Sequence, residues 1–327
     1  MMDNITGLPY NKSPDSPVGE HNACSLVQQK TLSEPITCQG IGLHTGRQIT
    51  MTLRPAEANA GINFFRSDIG ADGFVPASWK NVTETKLATT ISNESGHHIT
   101  TIEHLMAGFA GCGIDNALIE IDGPEVPAMD GSAQPFVTMI ESSGVLFQEA
   151  PRKTIVIKKP IKVGTKNSFI SLMPASMFGV SFEIEFNNTA LAKQSLEMKL
   201  VNGTFKDEIA SARTFGFAHE VDAMQKVGLA RGGSLKNAIV IQGDNVLNQE
   251  GLRYDNEFVR HKILDCVGDL YLAGAPIIGQ VNAVRSGHAL NHELLCTLFS
   301  NEDTWGFSEL SSAVVPGTGN LFAEMPH

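Results

Sequence analysis

No pair of cysteines in this 327-residue chain stands at CxxC spacing, and the five present (Cys24, Cys38, Cys112, Cys266 and Cys296) are odd in number and scattered. That distribution excludes a thiolate metal site and argues against a disulfide framework, so reduced thiols in a reducing compartment are expected. Long apolar runs are missing as well. Nothing approaches 18 uninterrupted apolar residues, so no transmembrane helix is expected. The opening segment MMDNITGLPYNKSPDSPVGEHN holds no apolar core, which speaks against a secretory signal. Basic residues are outnumbered, 24 Lys and Arg against 35 Asp and Glu, for a formal net charge of -11. No nucleic-acid partner is expected from that balance, although it leaves room for one phosphate-bearing ligand held by a few local cations. A cytoplasmic protein follows, with a monomer as the default state.

What is present is the composition of a folded domain, 42% hydrophobic and 18% charged, in a chain long enough for two cores. Residues 1–30, rich in Asn, Ser, Pro and Asp, read as a flexible tail. After them TLSEPITCQGIGL, QITMTLRPA, GINFFRS and KLATTIS alternate like strands between Gly, Pro and Asn. Thr100 and Glu103 have capping-box spacing, so a helix is predicted to start near Thr100, run through TIEHLMAGFAGC and end at Gly113. ALIEIDG reads as a strand and SAQPFVTMIESSG as a helix. Beyond the polar junction Pro151–Arg152–Lys153 a similar order recurs. TIVIKKPIKV, SFISLMP and GVSFEIEF read as strands, followed by a helical region from about Asp207 and the strand NAIVIQG. The long helix DNEFVRHKILDCVGDLYLAG, the strand IIGQVNAV and the closing helix ALNHELLCTLFS complete it. The expected fold class is α+β. Two similar domains, 31–150 and 151–304, each layer antiparallel strands with helices, the active site lies between them, and 305–327 form an irregular tail.

The long helix is the most informative segment. His261 and Asp265 stand i, i+4 on one face and Asp269 continues the stripe, while Val259, Ile263, Leu264, Val267 and Leu270 pack elsewhere. An imidazole and a carboxylate one turn apart can hold a metal ion; the same spacing also serves an exposed ion pair. Glu103-His104 offers a second ligand beside a carboxylate base. With His261 and Asp265 it would give the two-His, one-carboxylate set of a hydrolytic metal site. Glu103 reads equally as a capping-box carboxylate and His104 as a structural histidine. His288, between a strand and a helix, suits a general acid or a turn histidine. Asp269 can orient it or stay solvated. Thr214 can polarise a carbonyl or simply precede Phe215 in a packed segment.

The stretches GIGLHTG, TIEHL, GIDNALIEIDGPEVPAMDGSAQPF, ARTFGF, LRYDNEFVRHKILDCVGDL and SGHALNHELL closely resemble those of the UDP-3-O-acyl-N-acetylglucosamine deacetylase family, in the family's order over about residues 31–300. The resemblance implies zinc, or ferrous iron in the cell, held by His104, His261 and Asp265. It implies Glu103 as the general base, His288 as a cationic partner oriented by Asp269, and Thr214 as a contact to the developing oxyanion. Lys262 and Arg285 match basic positions linked to the substrate's diphosphate and sugar-nucleotide end, Phe215 the site wall and Phe186 the nucleotide side. SARTFGFAHEVDAMQKVGLA is expected to contribute to an apolar passage for the acyl chain. The implied substrate is a UDP-linked acylated glucosamine and the implied step is removal of its N-acetyl group in lipid A synthesis. Three departures from the family stand out: the long tail before Thr31, Lys86 in VTETKLATT where an apolar residue is common, and the loop FNNTALAKQS. A zinc hydrolase of another substrate class and a non-catalytic binding module on the same scaffold are the competing readings.

Overall fold

A computed structural model describes residues 28–186, 193–200 and 203–309. The first half opens with β1 (Gln28–Leu32), β2 (Ile36–Ile41), β3 (Gln48–Pro55), β4 (Ile62–Arg66) and β5 (Phe74–Pro76). The short strands β6 (Val82–Glu84), β7 (Thr90–Ser92) and β8 (His98–Ile99) lead into α1 (Glu103–Cys112). β9 (Ala117–Ile121), α2 (Gln134–Ser143) and β10 (Val145–Pro151) complete this half, and β10 pairs back on β1. The second half runs through β11 (Lys153–Ile157), β12 (Ile161–Gly164), β13 (Phe169–Met173), β14 (Gly179–Glu185) and β15 (Lys193–Lys199). An inserted unit follows, made of α3 (Thr204–Glu208), β16 (Phe215–Phe217), α4 (Ala218–Lys226), β17 (Ile239–Gln242) and β18 (Asn245–Val246). Then come α5 (Glu257–Tyr271), β19 (Ile277–Ile278), β20 (Gln280–Val284), α6 (His288–Phe299) and β21 (Trp305–Glu309).

Each half carries one five-stranded sheet, in the orders β2-β3-β9-β4-β5 and β12-β13-β20-β14-β15. The pairings repeat as well. In both sheets the late strand, β9 or β20, is antiparallel to one neighbour and parallel to the other, β4 or β14. The two halves thus share one topology without sharing a residue pattern, and the α+β expectation of two similar layered units holds. The physical basis is alternation: β4 and β9 bury every second residue, so Ile62, Phe64, Ala117, Ile119 and Ile121 face one core.

The helix preceding each late strand, α1 or α5, faces the other across the middle of the molecule. Gly268 makes that approach possible, because a Cβ there would lie 2.0 Å from the Glu103 carbonyl oxygen. α5 is buried nearly all round, including Glu257, His261, Asp265 and Asp269. Its polar stripe is therefore inside the protein and needs partners there. No helix among the described residues is long and apolar enough to cross a membrane.

Three expectations are corrected. α1 begins at Glu103 with Ile102 as its N-cap and no side-chain cap, so Thr100 and Glu103 form no capping box. The Thr100 hydroxyl accepts from Thr90 instead, and Glu103 turns inward. Gln28–Lys30 are not tail but belong to β1; residues 1–27 of the expected tail lie outside the described residues. Trp305–Glu309 are not irregular: they pair in register with β11, and Trp305 packs edge-on against Phe299. Residues 310–327, and 187–192 of the divergent loop, lie outside the described residues.

Candidate metal centre and active site

The first turn of α1 and the second and third turns of α5 bring three ligand atoms together. One nitrogen each from His104 and His261 and one oxygen of Asp265 lie within 4.8 Å of one another, and all three residues are buried. Asp265 Oδ1 faces His104 Nε2 at 3.5 Å and His261 Nε2 at 3.3 Å, yet this buried oxygen accepts no hydrogen bond. His261 Nδ1 lies 3.1 Å from the Ala212 carbonyl. A carbonyl only accepts, so Nδ1 carries the proton and Nε2 presents a lone pair to Asp265. Burial, opposed by Asp265, pushes the His261 pKa down to about 3, which keeps the ring neutral. A neutral nitrogen and an orphaned carboxylate oxygen converging among buried residues fit a divalent cation, and this donor set is one that a hydrolytic metal uses. The second Asp265 oxygen is satisfied by Lys262 Nζ at 2.6 Å. Burial opposes charge on Asp265, but His261 and Lys262 outweigh it and hold the carboxyl well below its usual range.

Glu103 and His288 flank this cluster. Thr89 N donates to Glu103 Oε2 at 3.0 Å, leaving Oε1 facing His288 Nε2 at 3.8 Å. Burial raises the Glu103 pKa, partly offset by His288 and His104. His288 Nδ1 donates to Asp269 Oδ2 at 2.8 Å, and Asp269 is itself fixed by Asn291 Nδ2 and the Thr89 hydroxyl. Burial disfavours charge on His288, but Asp269 and Glu103 together outweigh it and raise its pKa to about 9. At that value the imidazolium is the favoured form at neutral pH.

A measurable consequence concerns the metal-free protein. The folded pKa of His288 is raised, so its charge stabilises the fold fully below the ordinary histidine value of about 6.5, and that contribution fades as pH rises through about 9. Asp269→Asn is expected to bring the His288 ring titration, followed by proton NMR of the metal-free chain, down toward the ordinary value. An unchanged titration would show that Asp269 does not hold the charge.

The wall of the site comes from the segment before β16. Arg213 is buried and pairs with the fully buried Glu257 at the start of α5, Nε to Oε1 at 2.9 Å, and its own N–H donates to the same oxygen at 3.0 Å. This clamp sets the Ala212 carbonyl against His261 and places Thr214, whose N–H donates to Gly131 of the first half at 2.8 Å. Thr214, Phe215, Phe186, Lys262 and Arg285 all line one cleft of about 460 Å³ together with His261 and Lys86. Phe215 also packs edge-on against Phe186 and Phe258. Every residue singled out in the sequence thus belongs to one of two adjoining groups, the buried cluster or the cleft beside it.

Sequence reasoning missed Thr89, Asn291 and Glu125. Asn291 stands i+3 from His288 on α6, a spacing that was available as a signal. Thr89 had none, since its partners Glu103 and Asp269 are remote in sequence. Glu125 is fully buried and accepts from His44 N, Thr45 N and both the Thr45 and Thr101 hydroxyls. Thr101 is held at φ 60°, a left-handed turn that aims the chain into α1 two residues before Glu103.

Comparisons with known proteins give the family. The chain matches the family described as UDP-3-O-acyl N-acetylglycosamine deacetylase over residues 29–300. It is 47% identical over 293 residues to the UDP-3-O-acyl-N-acetylglucosamine deacetylase of Syntrophotalea carbinolica, covering 90% of this chain and 94% of that protein. The protein of the same name from Syntrophus aciditrophicus is 46% identical over 277 residues, 85% and 88% of the two chains. The Vibrio parahaemolyticus protein, again of that name, is 42% identical over 301 residues, 91% and 98%.

Proposed function

This chain belongs to the UDP-3-O-acyl-N-acetylglucosamine deacetylase family, and on that premise we propose how its residues divide the work. The protein is an amide hydrolase that removes the N-acetyl group from UDP-3-O-acyl-N-acetylglucosamine, giving acetate and the free 2-amino sugar nucleotide for lipid A biosynthesis. The observation that carries the assignment of residues is the orphaned Asp265 Oδ1 between two histidine nitrogens, opposite the His288–Asp269 pair.

His104, His261 and Asp265 hold the metal, which we read as zinc; the same donors also suit ferrous iron. When bound, such a cation supplies a Lewis acid and brings the pKa of water toward neutrality. Glu103 takes the proton of the attacking water at Oε1, its other oxygen being tied to Thr89. Its raised pKa makes it a stronger base than an exposed carboxylate. As the water oxygen bonds to the acetyl carbon, the Thr214 hydroxyl donates to the oxyanion. The C–N bond then breaks, and His288 Nε2, charged because Asp269 and Glu103 face it, delivers the proton that the departing amine needs.

Lys262 and Arg285 bind the sugar-nucleotide end, and Phe186 and Phe215 form its walls. Phe217 borders the same cleft, and Val227 and Leu229 stand exposed on the inserted unit, a surface suited to the acyl chain. The two-domain division, with the second domain extended to Glu309, is part of this reading. So is a monomer in the cytoplasm.

Acetate release should be compared between UDP-3-O-acyl-N-acetylglucosamine and UDP-N-acetylglucosamine lacking the acyl chain. Strong preference for the acylated substrate is expected. Equal rates on the two would favour a hydrolase of another substrate class.

A further inference from the structure

Lys86 has no role in the division of labour above, yet it lines the same cleft as Lys262 and Arg285. The other two cations are already engaged. Lys262 Nζ donates to Asp265 Oδ2 at 2.6 Å. Arg285 pairs with Glu185 at 3.5 Å and donates from Nε to the Asn167 carbonyl at 3.0 Å. Lys86 is exposed, and its ammonium has neither a hydrogen-bond nor an ion-pair partner among the described residues. Its backbone is nonetheless fixed, since Thr85 N and Lys86 N both donate to Glu84 Oε1, at 2.8 and 2.9 Å. Three residues on, Thr89 is tied to Glu103 and Asp269. Three residues of chain span at most about 11 Å, so Lys86 is tethered beside the reacting groups.

The chemistry of the substrate explains why a cation there has a use. In a UDP-linked glucosamine the amide sits on C2 and the first phosphate on the adjacent C1. Any cation that meets the diphosphate must therefore stand close to the groups that cleave the amide. Two carboxylates, Glu185 and Glu220, also line the cleft and repel a dianion, and the protein as a whole is acidic. An uncommitted ammonium offsets that repulsion without first breaking an existing pair. We propose that Lys86 is a substrate-binding residue whose ammonium pairs with the diphosphate of the sugar nucleotide. The inference rests on the deacetylase reading and adds one residue to its binding site.

The test uses the full, zinc-loaded chain with Lys86→Met and Lys86→Arg. Lys86→Met is expected to raise KM for the acylated substrate about tenfold, the scale of one charge-assisted contact, with kcat close to that of the parent. Binding of UDP alone, followed by calorimetry, should weaken by a similar factor, and the salt dependence of KM should flatten. Lys86→Arg should keep most of the affinity. Parent-like KM, UDP affinity and salt dependence in Lys86→Met would overturn the proposal. A fall in kcat with KM unchanged would overturn it too, by showing that Lys86 only supports the Thr89 loop. Parent protein that releases no acetate would defeat the deacetylase reading instead, and UDP calorimetry would still decide the question for Lys86.

Discussion

Replacing His261 with alanine is expected to remove bound metal and activity together. The ring is held by the Ala212 carbonyl and kept neutral by burial, so its only free polar atom is the Nε2 lone pair facing Asp265. Without it one imidazole and one carboxylate remain, and Lys262 already occupies the other oxygen of that carboxylate. A Lewis acid at a reacting carbonyl contributes several kcal/mol to the transition state, so turnover should fall by at least about a thousandfold. Elemental analysis of purified protein gives the metal content, and acetate release gives the rate. Full metal content in an inactive His261→Ala variant would remove His261 from the ligand set. Loss of metal with activity intact would remove the metal from the reaction.

Glu103→Gln should behave in the opposite way with respect to metal. Glutamine has the same shape, and its amide oxygen can still accept from Thr89 N, so the start of α1 and the adjacent His104 should stay in place. What is lost is the oxygen that takes a proton, and general-base catalysis typically contributes about 10²–10⁴ in rate. Metal content near that of the parent with turnover down by that factor is the expected result. Metal loss would mean that base and ligand have been exchanged in the assignment. The parent's acid limb should report the same group. Glu103 acts as a base only when ionised, and burial raises its pKa, so activity should fade as pH drops through a value above the ordinary carboxylate range.

The His/Asp cluster was legible in the sequence because two of its members lie one turn apart on a strongly periodic helix. The i, i+4 pair His261 and Asp265, with Asp269 beyond, is fixed by helix geometry alone. The burial of that stripe was not legible, because it depends on α1 crossing α5 at Gly268, a contact between distant segments. Thr89 escaped for the same reason, since one hydroxyl joins it to a residue 180 positions away. Glu103 illustrates a local rule overridden by tertiary structure. Capping-box spacing was present, but the carboxylate finds Thr89 N and faces His288 across the site, and α1 starts without a side-chain cap. Trp305 and Phe307 alternate as a strand should, yet their segment makes sense only once β11 is available beside it. The matching strand orders of the two sheets left no trace at residue level, because a shared topology needs only shared alternation.

The most direct measurement is acetate release from UDP-3-O-acyl-N-acetylglucosamine by the purified chain before chelation, after it, and with zinc restored. Activity that disappears with the chelator and returns with zinc is expected, with metal bound in proportion to the protein. Undiminished release from protein shown to hold no metal would contradict a metal centre at His104, His261 and Asp265.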